Sequence, residues 1–286
     1  MPVLRSSMVR HFGTVAARYR ELRDLDVRAA HRVALELEQL SDAGRRLAVL
    51  DVGAGTGRYT EAVLNSAGVH LRLCYDAVAC DALGEMLSSG TAHRGWGSAS
   101  VDRVIGLAEF LPFPTDAFDT VLSFNAVHHF KLPVFLTEAA RVLQPGGRLI
   151  IYTRTPEQNQ CTIWGQLFPH FAERETRLYT EGTLRAALDA VNEIESVELL
   201  EMPWTLRTSL PRLLDQARSG GYSTFRFYTP EEFEGALGAF EARVRASFDN
   251  LSTITAPNDH LLVLATRHGG LPGSVERELH GVALHE

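Results

Sequence analysis

The chain has 286 residues, 45% apolar and 22% charged, with a formal net charge of −7 from 28 Lys+Arg against 35 Asp+Glu. This is ordinary globular usage in a chain long enough to bury a full core, and it excludes a disordered, collagen-like or disulfide-stapled protein. Polyanions are usually met by basic surfaces, so nucleic acid is not an expected partner.

Lys131 is the one lysine; the other 27 basic residues are arginine. It follows His-His-Phe rather than a Gly-rich loop, which rules out a Walker A phosphate loop and disfavours Schiff-base chemistry. Cys74, Cys80 and Cys161 form no C-x-x-C pair and cannot build a disulfide framework, as suits a reducing cytoplasm. No apolar run approaches the ~20 residues that span a bilayer. Met1 to Arg20 is basic but lacks the apolar centre and cleavage site of a secretory signal. A soluble cytoplasmic protein with no membrane segment is expected.

In chain order, residues 1–46 carry a helical stripe of Val15, Tyr19, Leu22, Leu25, Val33, Leu37 and Leu40. This stretch is locally basic and reads as a helical cap. Leu47–Asp51 is a short apolar run ending at a Gly-rich turn. Val104-Ile105, Thr120–Phe124 and Arg148–Tyr152 are further strands, with a helix over Val134–Leu143 between the last two. Strand–helix alternation over 47–155 predicts a parallel sheet covered on both faces.

Beyond 156, Glu181–Val191 and Pro230–Phe248 read as helices, the latter opened by Thr229-Pro-Glu-Glu. Val197–Leu200 and His260–Thr266 read as strands. The long interval between them predicts an insertion over about 207–259. The tail 269–286 reads as loosely held. One domain over 1–268 is expected, divided at 46 and 155.

The strongest chemical signal is Val49-Leu-Asp51-Val-Gly53-Ala54-Gly55-Thr56-Gly57, a strand followed by three alternate glycines and a helix. Glycine permits a sharp turn and lets a ligand approach where a Cβ would collide. Nucleotide cofactors bind at such turns. A dinucleotide fingerprint spaces its glycines G-x-G-x-x-G. Here the spacing is G-x-G-x-G, with Asp51 two positions before the first glycine. That carboxylate is ill placed beside a pyrophosphate and suits a cofactor carrying an ammonium and a sulfonium.

With these residues the chain resembles the class I S-adenosylmethionine-dependent methyltransferases, in the group similar to the ubiquinone/menaquinone C-methylases. Ala108-Glu109-Phe-Leu-Pro-Phe, followed by Phe118-Asp119, resembles the segment before the fourth strand. Phe124-Asn125-Ala-Val-His128-His129-Phe130 resembles the end of that strand, and Leu143-Gln-Pro-Gly-Gly-Arg-Leu149 the turn before the fifth. His11-Phe12 through Tyr19 resembles the first helix, which closes over the cofactor. The resemblance covers about 100 residues. It implies a doubly wound, seven-stranded, mostly parallel sheet with a helical N-terminal cap and a C-terminal helical insertion.

It also implies S-adenosylmethionine as cofactor and S-adenosylhomocysteine as product. Gly53, Ala54, Gly55, Thr56 and Gly57 would line the methionyl part, Asp51 would orient it, and Ala108, Glu109 and Asn125 would complete the site. Leu107 stands where relatives often carry Asp before that alanine. Two carboxylates compete for the ribose. Asp76 lies 19 residues after Gly57. Asp81 lies 30 after Asp51 and precedes Glu85-Met86-Leu87, which resembles the next helix start.

His128 and His129 are candidate bases, suited to a phenolic or activated-carbon proton; no metal is implied. Tyr19, Arg154, Trp164 and Tyr222 are candidate substrate contacts, either a lid or plain packing. The expected function is O- or C-methylation of a small organic molecule. A non-catalytic cofactor-binding protein and an NAD(P)-dependent oxidoreductase are the alternatives, with an RNA methyltransferase a weaker third. The sequence is silent on oligomeric state.

Overall fold

The computed structural model describes residues 12–13, 15–41, 45–70, 74–90 and 101–269. His11 and the tail from 270 onward lie outside them. A single helical stripe is not what residues 15–40 form. A short turn, Tyr19–Leu22, is followed by a separate helix, Val27–Leu40. The break is chemical: Asp26 leaves helical geometry and its side chain accepts from the Arg28 and Ala29 amides, capping the second helix. Its other oxygen accepts from the Tyr152 hydroxyl at 3.1 Å.

Seven strands form the central sheet. They are β1 Leu47–Val52, β2 Tyr75–Asp81, β3 Val101–Ile105, β4 Phe118–Phe124, β5 Leu143–Thr153, β6 Ile194–Met202 and β9 His260–Arg267, in the order β3-β2-β1-β4-β5-β9-β6. β9 runs antiparallel to both neighbours and the other pairs are parallel. β1 and β4, entirely or almost entirely buried, read as continuous apolar runs because helices cover both faces. Strand order reverses between β1 and β4, the position where open α/β sheets bind ligands beyond their strand ends.

The Pro145-Gly146-Gly147 segment lies inside β5 rather than before it, with Gly146 at φ +78° and a register shift against β4 at Phe118/Thr120. Asp119, nearly fully buried at this edge, accepts from Arg45 at 2.7 Å and from the Ala48 amide at 2.8 Å.

The insertion has its own closure. β7 Thr205–Thr208 and β8 Ile254–Pro257 pair antiparallel and zip its base, with the helices Leu210–Arg218 and Pro230–Ser247 between them. It also has its own apolar core, in which Trp164, Phe168 and Phe171 meet Phe225 and Phe240. Polar bonds tie it to the N-terminal segment: Gln216 donates to the Leu22 carbonyl at 2.7 Å, and Arg212 pairs with Asp24 at 2.8 Å. Among the described residues no helix is long and apolar enough to cross a membrane.

Candidate active site

The Gly-rich turn leaves β1 with all three glycines in the left-handed region, at φ +72°, +58° and +72° for Gly53, Gly55 and Gly57. Gly53 is also pressed by its surroundings. A Cβ there would lie 2.5 Å from that of Ala126 and 2.8 Å from the Phe130 ring. The turn is bound to the end of β2: Gly53 and Ala54 amides donate to the Cys80 carbonyl, and the Gly55 amide donates to Asp81 at 2.8 Å. Arg20 locks the N-terminal segment onto the same turn, donating to the Thr56 carbonyl at 3.1 Å and pairing with Glu61 at 2.5 Å.

Beyond the carboxyl ends of β1, β2 and β4 lies a cavity of about 270 Å3. Gly53, Ala54 and Gly55 form its floor, Asp51 and Asp81 its acidic wall, and Ala108, Glu109 and Asn125 border it. Asp51 is 1% exposed. Its Oδ2 accepts from Thr60 Oγ1 at 2.5 Å, while Oδ1 has no hydrogen-bond partner among the described residues. Burial pushes its pKa up to about 7, with the Asp81 charge adding and the Thr60 bond opposing. Burial also raises Asp81, against three backbone N–H bonds that lower it. A buried carboxylate with an unused oxygen, beside a floor of glycine and alanine, fits a ligand carrying an ammonium group.

The sequence candidates divide. Asp81 closes β2 at the cavity. Asp76 stands opposite Ala48 near the other end of the same strand, is exposed and pairs with Arg46 at 3.0 Å, so it does not reach the site. Thr56 and Gly57 are also outside this cavity: Gly57 caps the helix Arg58–Asn65, and Thr56 turns into the protein. Trp164 is 1% exposed, stacked on Phe240 at 4.9 Å in the insertion core, and belongs to packing rather than to a lid. Several wall residues are not among the sequence candidates, among them Arg58 and Leu83. Met86 and Phe130 sit within motifs that carried the resemblance.

A second cavity, of about 60 Å3, adjoins the first and shares Phe12, Tyr19, Asn125 and His129 with it. His128, Arg154 and Tyr222 also line it, so three of the four candidate substrate contacts converge here. Asn125 reaches the junction through a left-handed backbone, φ +52°, and its amide donates to the Tyr152 carbonyl. Asn159, in the stretch that follows β5 at the carboxyl edge, lines the second cavity, and so does Arg23, which gave no sequence signal.

The two histidines differ. Arg177 donates to Nδ1 of His129 at 3.3 Å. A guanidinium only donates, so this nitrogen accepts and the neutral ring carries its proton on Nε2. Nδ1 of His128 is buried with no hydrogen-bond partner among the described residues. Burial first, then the Arg177 charge, pushes the His128 pKa down to about 3, so the ring is neutral at pH 7.

A seven-stranded sheet with this order, a Gly-rich turn after β1 and a carboxylate closing β2 define the class I methyltransferase fold. The methyltransferase domain family matches residues 50–151 of the chain. The chain is 34% identical over 146 residues to the ubiquinone/menaquinone biosynthesis C-methyltransferase UbiE of Rhizobium meliloti, covering 49% of this chain and 55% of that protein. It is 34% identical over 114 residues to the probable tRNA methyltransferase 9B of Homo sapiens, covering 38% of this chain and 22% of that one. It thus spans little more than half the length of the first relative and less than a quarter of the second. The solved YcgJ protein of Bacillus subtilis has the same fold, with a TM-score of 0.56 at 21% identity over 84% of this chain and 100% of that one.

Proposed function

We propose that this protein is an S-adenosylmethionine-dependent methyltransferase acting on a small organic molecule at oxygen or carbon. The observation that carries the reading is the unbonded Oδ1 of buried Asp51 over the Gly53–Gly55 floor. When bound, S-adenosylmethionine supplies a methyl group already activated by its sulfonium. The chain's task is to align donor and nucleophile and exclude water.

Asp51 would hold the ammonium, Asp81 the ribose hydroxyls, and Ala108 and Glu109 would lie along the adenine. The acceptor would occupy the second cavity and meet the methyl donor at the shared wall of Tyr19, Asn125 and His129. His128 would accept a hydrogen bond from the nucleophile through Nδ1, orienting its lone pair. With a pKa of about 3 it aids positioning more than full proton removal. His129, its Nδ1 already accepting, would act as a donor through Nε2. Such a site favours an acceptor whose proton is readily lost, a phenol or an activated carbon acid. The acidic chain and its three free thiols fit a cytoplasmic enzyme.

An RNA acceptor is the second reading, favoured by similarity to the human probable tRNA methyltransferase 9B. The net charge of −7 and the narrow second cavity argue against it. The two separate by measuring S-adenosylhomocysteine release with a low-molecular-mass metabolite extract and with total tRNA. Release with the extract is expected; release with tRNA and none with the extract overturns the small-molecule reading.

A further inference from the structure

The second cavity is lined by two arginines, Arg23 and Arg154, neither of which makes an ion pair among the described residues, although the Asp24 charge acts on Arg23. Arg154 is 8% exposed, yet no ion pair reaches it among the described residues. Its bonds go to neutral groups: Nη2 donates to Asn258 Oδ1 at 2.6 Å and to His260 Nε2 at 3.2 Å, and Nε donates to the Asp259 carbonyl at 3.2 Å. Nη1 has no protein acceptor among those residues. Arg23 lies over the Tyr222 ring, its guanidinium carbon 3.9 Å from the centroid, and donates from Nη1 to the Gly221 carbonyl at 3.3 Å. Its Nε and Nη2 have no protein acceptor there either. The two guanidinium groups are close enough that Arg23, after burial and Tyr222, is among the charges acting on Arg154.

The nearby carboxylate is already used. Glu175 lines the same cavity, but it pairs with Arg177 and accepts from Thr224 Oγ1 at 2.6 Å. Those bonds outweigh burial and keep it ionised below the ordinary range. An excess of cationic charge, buried at Arg154 and half-buried at Arg23, costs free energy unless an anion completes it.

We infer that the second cavity is a carboxylate subsite, in which Arg23 and Arg154 bind the anionic group of the methyl acceptor. This rests on the reading of that cavity as the acceptor site. Guanidinium N–H groups match the planar geometry of a carboxylate. The small volume and the fixed negative charge of Glu175 favour a monoanion over a phosphate dianion. The rings of Tyr19, Phe171 and Tyr222 wall the same space and suit an aromatic or otherwise planar body behind the carboxylate.

The test is calorimetric titration of the full chain, saturated with S-adenosylhomocysteine, with benzoate, benzamide and phenyl phosphate. Benzoate should bind at least tenfold tighter than either of the others. Arg154→Gln disturbs a buried network, so Arg23→Gln is run beside it. Arg23→Gln should keep S-adenosylhomocysteine affinity within about twofold and lose at least tenfold in benzoate affinity. Equal binding of benzoate and benzamide, tighter binding of phenyl phosphate, or an unchanged benzoate affinity in Arg23→Gln overturns the carboxylate subsite. Failure of the parent to bind S-adenosylhomocysteine at all overturns the methyltransferase reading instead, and is seen in the first titration.

Discussion

Asp51 concentrates the electrostatics of the first cavity. One oxygen is satisfied by Thr60 and the other by nothing in the described protein. With its pKa raised to about 7, the free native state holds this proton more tightly than the unfolded chain does. Its contribution to stability is therefore present below the ordinary carboxylate pKa and is lost as pH rises toward about 7. An ammonium at Oδ1 reverses the balance by favouring the charged carboxylate. S-adenosylhomocysteine affinity should therefore rise with pH, by up to about tenfold per unit below pH 7, and level off above it. Titrations between about pH 5.5 and 8 check this, with Asp51→Asn expected to bind more weakly and with a flat profile. A parent profile flat over the same range would remove Asp51 from ammonium binding.

At the scale of elements, β1, β4 and the end of β5 were legible because buried parallel strands are rich in apolar residues and the glycines mark one turn geometry, whereas β2 gave no strand in the sequence and β3, a largely exposed edge, only its last residues. The choice between Asp76 and Asp81 was not legible from spacing, because it depends on where β2 begins. β2 is seven residues long, from Tyr75 to Asp81, which puts Asp76 next to Arg46 and Asp81 at the glycines. Trp164 shows the opposite difficulty. Aromatics following β5 suit a lid and a core equally, and what decides is the β7–β8 pairing. Those strands alternate in burial but run for only four residues each, too short to stand out as strands in the sequence. Placed in the core, Trp164 predicts a stability effect. Trp164→Ala should destabilise the protein by about 3–5 kcal/mol in urea unfolding, as for other large buried aromatics. A substrate-facing Trp164 would instead leave unfolding nearly unchanged and alter catalysis.

At the scale of the whole molecule, the site is a joint product of three distant stretches. The sheet supplies the floor and acidic wall, the N-terminal segment is clamped over the Gly-rich turn by Arg20, and the insertion brings Tyr222 and the residues around it. Arg23 was beyond the sequence for this reason. Its place beside Tyr222 is set by contacts almost 200 residues apart in the chain, such as Gln216 on the Leu22 carbonyl. Arg154 was legible because it follows β5 at the carboxyl edge, where ligands bind. The cofactor half could thus be read from local motifs, and the acceptor half needed the fold.

The central claim is that the cavity beyond β1 and β2 takes S-adenosylmethionine, and one titration addresses it. Calorimetry with S-adenosylhomocysteine and NADH, on the parent and on Asp81→Ala, should show saturable binding of S-adenosylhomocysteine and none of NADH. Asp81→Ala should weaken the former at least tenfold, the loss of a charged hydrogen-bond acceptor at the ribose. NADH binding with no S-adenosylhomocysteine signal would contradict the account and make the Gly-rich turn a dinucleotide site.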